Sequence, residues 1–330
     1  MAKTMQKGVP FTEEPFAEIA NTVELSAEDV LAQLRVWTED GKLREISAIL
    51  EGSVLGYESA LVAAKVPSKE MVRVAKLLNT HPTVTHNYER SHDFNLWFTI
   101  AMPEEIGIDA VIEALVKLTG VAEMYPLRRT VTFKIGVNFD LKSLKSDTQQ
   151  IKMNETQKVE VSEEDIACFR VLQVPLPLSP RPFRELAEKA GVSEAVLLEF
   201  AKKHHGNAIR RYVATFRHRK LGVRGNGMAV WNVPEERMQE VGLALAGAAE
   251  VSHCYARECV DGFPFNVYSM IHGPDRESCL EVARRESENL NIEDYTVLFS
   301  TREFKKVRLR YFLPELDEWW SEHGSMGRVA

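Results

Sequence analysis

A histidine, a tyrosine and an arginine alternate along one predicted strand, at His253, Tyr255 and Arg257. Residues at i, i+2 and i+4 of a strand share a face, so these three side chains point to one surface. Together they offer a proton donor, a hydroxyl group and a fixed cation that binds carboxylates. The same spacing also suits a half-exposed strand whose polar face meets water, and spacing alone does not separate the two interpretations.

The same motif occurs earlier in the chain, at His86, Tyr88 and Arg90. The segment VTHNYER matches VSHCYAR, and an aromatic strand follows each copy, FNLWFTIAM in the first case and FNVYSMIHG in the second. An internal repeat of this length indicates two related halves. The repeat therefore favours a functional site over a chance polar face.

The first half begins with helices and continues with strands. Apolar residues at helical spacing predict helices over residues 15–50, with Ser26 as an N-cap. From Leu55 to Gly136 the pattern changes to strands and helices in the order βαββαβ, with the motif on the second strand.

A polar segment, residues 141–164, separates the halves and is predicted to be a linker because it has no apolar periodicity. The segment PRPFRELAEKAGVSEAVLLEFAKKH then has the pattern of a helix-turn-helix, with Gly191 between two helical runs and Ser193 as an N-cap. A second βαββαβ order follows and ends at Phe312.

We therefore expect an α+β fold of two tandem halves, each a helix-turn-helix followed by a ferredoxin-like βαββαβ domain. The first half comprises residues 1–140 and the second residues 165–330, joined by the linker 141–164. The halves are expected to pack as an intramolecular pseudo-dimer in which their sheets cover each other. Whether the chain assembles further into a homo-oligomer is left open.

The composition excludes several classes of protein. The 330 residues carry a formal net charge of −7, and the pI near 5.8 and mean hydropathy of −0.22 argue against general attraction to nucleic acid. The four cysteines have no CxxC spacing and are expected to be reduced thiols. No apolar run is long enough to span a bilayer and the N-terminal segment lacks the apolar core of a signal peptide, so a cytoplasmic protein is expected.

A helix-turn-helix followed by a ferredoxin-like domain resembles the Lrp/AsnC regulators. The segments IRRYVATFRHRKLGVRGNGMAVWNVP, VSHCYARECVDGFPFNVYSMIHG and YTVLFSTREFKKVRLRYF resemble the siroheme decarboxylase family, which shares this architecture. The first half keeps the LG and VP landmarks in LREISAILEGSVLGYESALVAAKVP but lacks the RR and HRK positions. Because members of this family usually work as pairs of related subunits, the chain resembles both subunit types fused in one.

The resemblance implies an activity and a substrate. Members of the family remove carboxyl groups from two acetate side chains of siroheme, which gives didecarboxysiroheme on the way to heme or to the specialised heme of denitrification. The sequence has no Gly-rich phosphate loop, HExxH or CxxC motif. No cofactor is therefore expected beyond the iron of the siroheme substrate.

Siroheme is ringed with carboxylates, so a protein that binds it needs several cations around an apolar floor. A dense run of basic residues in the second half supplies them: Arg210, Arg211, Arg217, His218, Arg219, Lys220 and Arg224. The matching stretch of the first half has Arg44 alone, together with Glu45 and Glu51. The alternative is a solvated basic wing beside a helix-turn-helix, which in a regulator contacts DNA phosphates.

Loss of CO2 from a pyrrole acetate leaves an electron pair on carbon, and an acid must then protonate that carbon. We expect His253 to be this acid or a ligand of the substrate iron, with Tyr255 as its hydrogen-bonding neighbour or the alternative donor. His218 is the second candidate acid, and Arg257 and the basic run are expected to hold carboxylates. Whether His272 reaches His253 is left open, because the DGFP turn lies at the opposite end of its strand.

The two halves are expected to divide the work. Only the second half combines the motif with the dense run of cations, so the chemistry is expected there. His86, Tyr88 and Arg90 are expected to line a structural remnant or a wall of the same pocket.

Two other functions fit the same pattern. One is an Lrp/AsnC-type regulator that binds DNA and a small effector, and the other is a heme-binding module without catalysis. Recognition helices of DNA-binding proteins are basic where they face phosphates, whereas the candidates here, EDVLAQLRVWTED and EAVLLEFAKKH, begin with acidic residues. Specific DNA binding is therefore not expected.

We predict that the purified protein does not bind promoter fragments selectively, because the acidic helix starts repel phosphates. An electrophoretic mobility assay over a salt series measures this, with an unrelated fragment of equal length as the control. A salt-sensitive shift that prefers one sequence at moderate ionic strength would contradict the prediction.

Overall fold

The computed structural model describes residues 1–140, 145–149, 158–216 and 225–324. The chain forms two compact units, and each takes segments from both halves of the sequence. The helix-turn-helix unit consists of Met1–Tyr57, Thr156–Lys220 and Arg310–Pro314, and the sheet unit consists of Glu58–Glu155, Leu221–Leu309 and Glu315–Ala330.

The helix-turn-helix unit holds both predicted helix-turn-helices. Its elements are α1 (Ala2–Lys7), α2 (Pro15–Thr22), α3 (Ala27–Glu39), β1 (Leu43–Leu50), α6 (Glu163–Leu172), α7 (Pro182–Ala190), α8 (Glu194–His204) and β7 (Ile209–Phe216). Ser26 and Ser193 cap α3 and α8 as predicted, because each hydroxyl accepts a backbone N–H from the first turn. Gly191 ends α7 in the left-handed region, at a φ of 73°, where other residues are strained.

Residues 43–50 form strand β1, so the prediction of helices up to Leu50 was wrong. β1 pairs antiparallel with β7, with Ala48 opposite Tyr212. Ile46 and Ala48 are each only 2% exposed. The strand that pairs with β1 comes from the other half of the chain, and such a distant partner leaves no local signal in the sequence.

The sheet unit holds one βαββαβ set from each half, which confirms the predicted fold class. Its elements are β2 (Tyr57–Ala64), α4 (Met71–Leu78), β3 (His86–Arg90), β4 (Leu96–Pro103), α5 (Ile108–Thr119), β5 (Met124–Asp140), β6 (Lys145–Gln149), β8 (Gly225–Trp231), α9 (Met238–Gly247), β9 (Val251–Arg257), β10 (Val267–Gly273), α10 (Arg276–Leu290), β11 (Tyr295–Lys306) and α11 (Pro314–His323). Strand β6 lies in the segment 141–164 that was predicted to be a linker, and α6 begins within the last two residues of that segment. Among the described helices, none has both the length and the hydropathy needed to cross a membrane.

The strands of the two halves join into one ring. The first half has the order β5-β2-β4-β3 and the second the order β11-β8-β10-β9. β3 pairs antiparallel with β11, and β9 pairs antiparallel with β5, so each motif strand adjoins the last strand of the other half. The eight strands close on themselves through the pairing of β2 with β5, and β6 extends from β5.

Apolar cores lie on both faces of the second-half strands. One lies between the second-half strands and their helices, and Trp231, Val241 and Cys254 belong to it. The other lies inside the ring and takes side chains from both halves, including Trp97 and Tyr268. The inner faces of the two sheets therefore cover each other, as predicted. A phenylalanine of the DGFP turn, Phe263, enters this inner core and is fully buried, and its ring centroid is 5.3 Å from that of Trp97.

Two lysines connect the last strand of each βαββαβ set to the end of the first helix of the other set. Lys305 of β11 donates to the carbonyl of Asn79 after α4, at 3.0 Å. Lys134 of β5 donates to the carbonyl of Ala248 after α9, at 3.0 Å. Burial lowers the pKa of both ammonium groups. The last carbonyls of a helix have no partner within the helix, and each lysine donates to a carbonyl just beyond such an end. The carbonyl of Ala248 also accepts the backbone N–H of Val251.

His81 is a neutral histidine in the core beneath α11. Its ring is fully buried, its Nδ1 accepts the backbone N–H of Thr83, and its centroid is 4.3 Å from that of Trp319. Burial lowers the pKa of His81 from 6.5 to about 3, and the positive charge of Lys305 acts in the same direction.

We predict that the free energy of unfolding falls as the pH decreases from 6.5 towards 3. The pKa of His81 is 6.5 in the unfolded chain and about 3 in the folded chain. Between these pH values His81 is protonated in the unfolded chain and neutral in the folded chain. The stability that comes from neutral His81 is therefore complete above pH 6.5 and is lost as the pH falls towards 3. The slope should be at most about 1.4 kcal/mol per pH unit.

Urea unfolding at about pH 5 and about pH 7 measures this slope. His81→Asn keeps a hydrogen-bond acceptor but does not titrate, so it should lower the pH dependence. His205→Asn, which replaces an exposed histidine at the end of α8, is the control and should leave the pH dependence unchanged. An equal slope in wild type and His81→Asn would show that another group is responsible.

Candidate active site

The second-half motif lies on the inner face of the ring. On β9, Cys254 and Ala256 point outward into the core shared with the helices, so the alternate residues His253, Tyr255 and Arg257 point inward. Across the hairpin, Tyr255 lies opposite Tyr268, a residue of the inner core. The three predicted side chains therefore share one face, and that face lines an interior built by both halves.

Arg257 is held by the other half of the chain. Its Nη1 donates to the carbonyl of Leu127 on β5 at 2.9 Å, and its guanidinium lies 5.4 Å from the ring centroid of Tyr255 and 5.5 Å from that of Tyr268. Burial lowers the pKa of Arg257 to about 10, so it stays charged at neutral pH. Among the described residues its Nε has no hydrogen-bond partner, and no carboxylate contributes to the shift. Within the described part of the chain, the charge of Arg257 therefore has no carboxylate partner.

Arg90 repeats this arrangement in the first half. Its Nη1 donates to the carbonyl of Leu298 on β11 at 2.8 Å, and its guanidinium lies 5.7 Å from the ring centroid of Tyr88. Burial lowers the pKa of Arg90 to about 10 as well. Each motif arginine therefore donates to the last strand of the opposite half.

His253 is hydrogen-bonded through a serine to a second histidine. The hydroxyl of Ser252 lies 2.8 Å from Nδ1 of His253 and 2.7 Å from Nε2 of His272. The sequence left open whether His272 reaches His253. The start of β9 and the end of β10 are adjacent in the hairpin, so counting the strand register back from the DGFP turn is the signal that could have placed His272 here.

The neighbouring strands make the two motifs electrostatically different. In the second half, Thr132 and Ile135 of β5 lie opposite Tyr255 and His253, and the Arg129 guanidinium is 5.8 Å from the Tyr255 ring centroid. Sequence reasoning did not identify Arg129, because only strand pairing between the halves brings it to the motif.

In the first half, Glu303 of β11 lies opposite Tyr88, and Lys306 lies opposite His86. The first motif thus has an acidic neighbour at the position where the second has a threonine. Glu303 disfavours a carboxylate beside the first motif and Lys306 favours one, whereas a carboxylate beside the second motif meets the cation of Arg129.

The predicted basic run is only partly within the described residues. Arg210 lies on β7 in the helix-turn-helix unit, 3.6 Å from the carboxylate of Glu51, and Arg211 lies opposite Ile49. The other five members fall outside the described residues: Arg217, His218, Arg219, Lys220 and Arg224. Their predicted roles stay predictions.

The inner face of β9 suits a ligand that combines carboxylates with a large apolar body. Guanidinium groups such as those of Arg129 and Arg257 can bind carboxylates, and the ring of Tyr255 beside them adds an aromatic face. The described part of the chain contains no group of three or more His, Cys, Asp or Glu side chains that could hold a metal ion. The predicted role of His253 as a ligand of the substrate iron stays a prediction.

Comparisons with known proteins cover almost the entire chain. A family model described as "Siroheme decarboxylase NirDL-like HTH domain" matches residues 3–44 and 165–209, and one described as "AsnC-like ligand binding domain" matches residues 54–134 and 220–305. The siroheme decarboxylase of Hydrogenobacter thermophilus is 39% identical over 323 residues, which cover 97% of this chain and 96% of that protein.

The chain belongs to the siroheme decarboxylase family.

Solved structures and separate subunits extend the similarity to this family. The crystal structure of the siroheme decarboxylase NirDL in co-complex with an iron-uroporphyrin III analogue is 34% identical, with a TM-score of 0.80, and the match covers 99% of this chain and 98% of that one. The siroheme decarboxylase beta subunit of Methanosarcina barkeri is 38% identical over 151 residues, which cover 46% of this chain and 99% of the subunit. One chain thus spans what other members of the family divide between subunits.

We predict that Arg90→Met and Arg257→Met leave the free energy of unfolding unchanged or raise it. Each arginine puts a charge into an apolar interior for one carbonyl hydrogen bond, and replacing buried charges with apolar groups is often neutral or stabilising by about 1–4 kcal/mol. Urea unfolding measures the change, and Arg285→Met, which removes a surface ion pair with Glu250, is the control. A loss above about 2 kcal/mol in either variant would mean that the arginines hold the ring together.

Proposed function

We propose that this chain is a siroheme decarboxylase, which removes CO2 from two acetate side chains of siroheme and supplies didecarboxysiroheme to heme biosynthesis. The observation that carries the proposal is the inner face of β9, where His253, Tyr255 and Arg257 face an interior formed by both halves. The similarity to siroheme decarboxylases over nearly the whole chain supports it. So does the related NirDL structure with an iron-uroporphyrin III analogue.

The substrate carboxylates are proposed to bind Arg257 and Arg129. An anion beside Arg257 can accept a hydrogen bond from its Nε, which has no partner among the described residues. Charge-assisted hydrogen bonds of this kind contribute about 1.5–3 kcal/mol each. The carboxylate-binding role predicted for Arg210, Arg211 and the rest of the basic run stays a prediction.

The reaction needs a proton and no oxidant. The bond between the acetate carbon and its carboxyl carbon breaks, CO2 leaves, and the electron pair is delocalised into the macrocycle. A proton then bonds to that carbon, so one proton is consumed for each CO2 released. His253 is the proposed donor, Tyr255 is the alternative, and His218 is the second candidate acid. The alternative role proposed for His253 is to bind the substrate iron.

This chemistry makes the proposed enzyme a carboxy-lyase that works in the second half of the chain. The second motif has Arg129 beside Tyr255, whereas the first motif has Glu303 opposite Tyr88. Arg129 attracts a carboxylate substrate to the second motif, whereas Glu303 repels a carboxylate from Tyr88 of the first motif. His86, Tyr88 and Arg90 are therefore proposed to line a wall of the pocket.

We predict that His253→Ala abolishes decarboxylation without unfolding the protein and that His86→Ala has a smaller effect. Loss of a general acid typically lowers a rate by about 10²–10⁴-fold, whereas a wall residue contributes only to binding. Anaerobic incubation with siroheme followed by mass analysis for the loss of CO2 measures turnover.

Wild type and the two variants are compared at equal folded fraction, monitored by circular dichroism. Equal loss of turnover in both variants, or loss in His86→Ala alone, would assign the chemistry to the other half or to a shared site. Binding of siroheme by wild type without any release of CO2 would instead favour a heme-binding module.

A further inference from the structure

The hydroxyl of Ser252 bridges two imidazoles. It lies 2.8 Å from Nδ1 of His253 and 2.7 Å from Nε2 of His272, and its third contact is the carbonyl of Met270 at 3.4 Å. Ser252 is only 4% exposed, so water does not compete freely for these bonds. A hydroxyl has one proton to donate, so the bonds to the two rings depend on each other.

A β-bulge places Ser252 at this position. Met270 pairs with His253, but the next residue, Ile271, pairs with Val251, so Ser252 is an extra residue on β9. Bulges change the direction of side chains in a strand. His272 comes from the adjacent strand β10 and also lines a surface cleft with Glu250 and Arg285.

The geometry points to Ser252 and His272 as positioning residues for His253, an inference that rests on the proposed function. The hydroxyl binds Nδ1 and thereby fixes the plane and tautomer of the His253 ring. Nε2, on the far side of the ring from Ser252, then donates its proton when the ring is an imidazolium, or binds the substrate iron when the ring is neutral with its proton on Nδ1. His272 holds the hydroxyl in place, as outer partners of functional histidines do.

The first half contains the matched comparison. Thr85 lies 3.1 Å from Nδ1 of His86, so a threonine hydroxyl occupies the place of Ser252. Its next partner is the hydroxyl of Thr99, at 2.9 Å. The position that corresponds to His272 in the aligned strands is Ala101. In the second half the hydroxyl that binds the motif histidine also binds a second imidazole, whereas in the first half it binds the hydroxyl of Thr99. Because Thr85 occupies the matching position, threonine is expected to replace Ser252.

The test compares siroheme turnover by Ser252→Ala, Ser252→Thr and the matched variant Thr85→Ala. Ser252→Ala should lower kcat by about 10–100-fold with little change in KM, the loss typical of removing an outer partner. Ser252→Thr should keep most of the activity, and Thr85→Ala should lower kcat less than about twofold. Equal losses in Ser252→Ala and Thr85→Ala, or no recovery with threonine, overturn the inference.

Nitrogen NMR of histidine-labelled protein without substrate gives a readout that does not depend on turnover. The His253 signals, assigned with His253→Ala, should report one neutral tautomer in wild type and a mixture in Ser252→Ala and His272→Gln. A mixture already present in wild type overturns the inference even if siroheme is decarboxylated. A single wild-type tautomer that the variants disperse supports it even if wild type releases no CO2, an outcome that would defeat only the proposed function.

Discussion

Reciprocal strand pairing between the two halves is the interaction on which the sheet unit depends. β3 pairs with β11 and β9 pairs with β5, so neither motif strand is left as an open edge. An open edge would expose unpaired backbone groups, and a separated sheet would expose the apolar inner face that it now buries against the other. The ring satisfies both requirements at once, and each half depends on the other for them.

The strands that join the halves are also the strands that carry the motifs. Arg257 donates to the carbonyl of Leu127, and Arg90 donates to that of Leu298, so each motif arginine crosses the junction. Both retain an Nε without a partner among the described residues. Burying a guanidinium costs more free energy than one carbonyl hydrogen bond returns. A role in binding an anion would account for keeping the charge there.

The two halves share a backbone plan and differ in the side chains around it. The motif residues and the junction bonds are repeated, while their neighbours are not: Glu303 lies opposite Tyr88, and Thr132 lies opposite Tyr255. The backbone plan depends on apolar positions and strand register, which a duplicated sequence retains. Charge at the motif depends on single residues of the adjoining strand, which can change without disturbing the ring.

Much of this architecture follows from the sequence alone. Apolar periodicity and capping residues predicted the two βαββαβ sets, both helix-turn-helices, and the caps at Ser26 and Ser193, because these features depend on residues close together in the chain. Strand alternation likewise placed His253, Tyr255 and Arg257 on one face. Only the tertiary structure determined that residues 43–50 form a strand, that Arg257 meets Leu127, and that a bulge brings Ser252 between two histidines. Each of these depends on strand pairing, and the choice and register of a partner strand are set by contacts between residues distant in sequence.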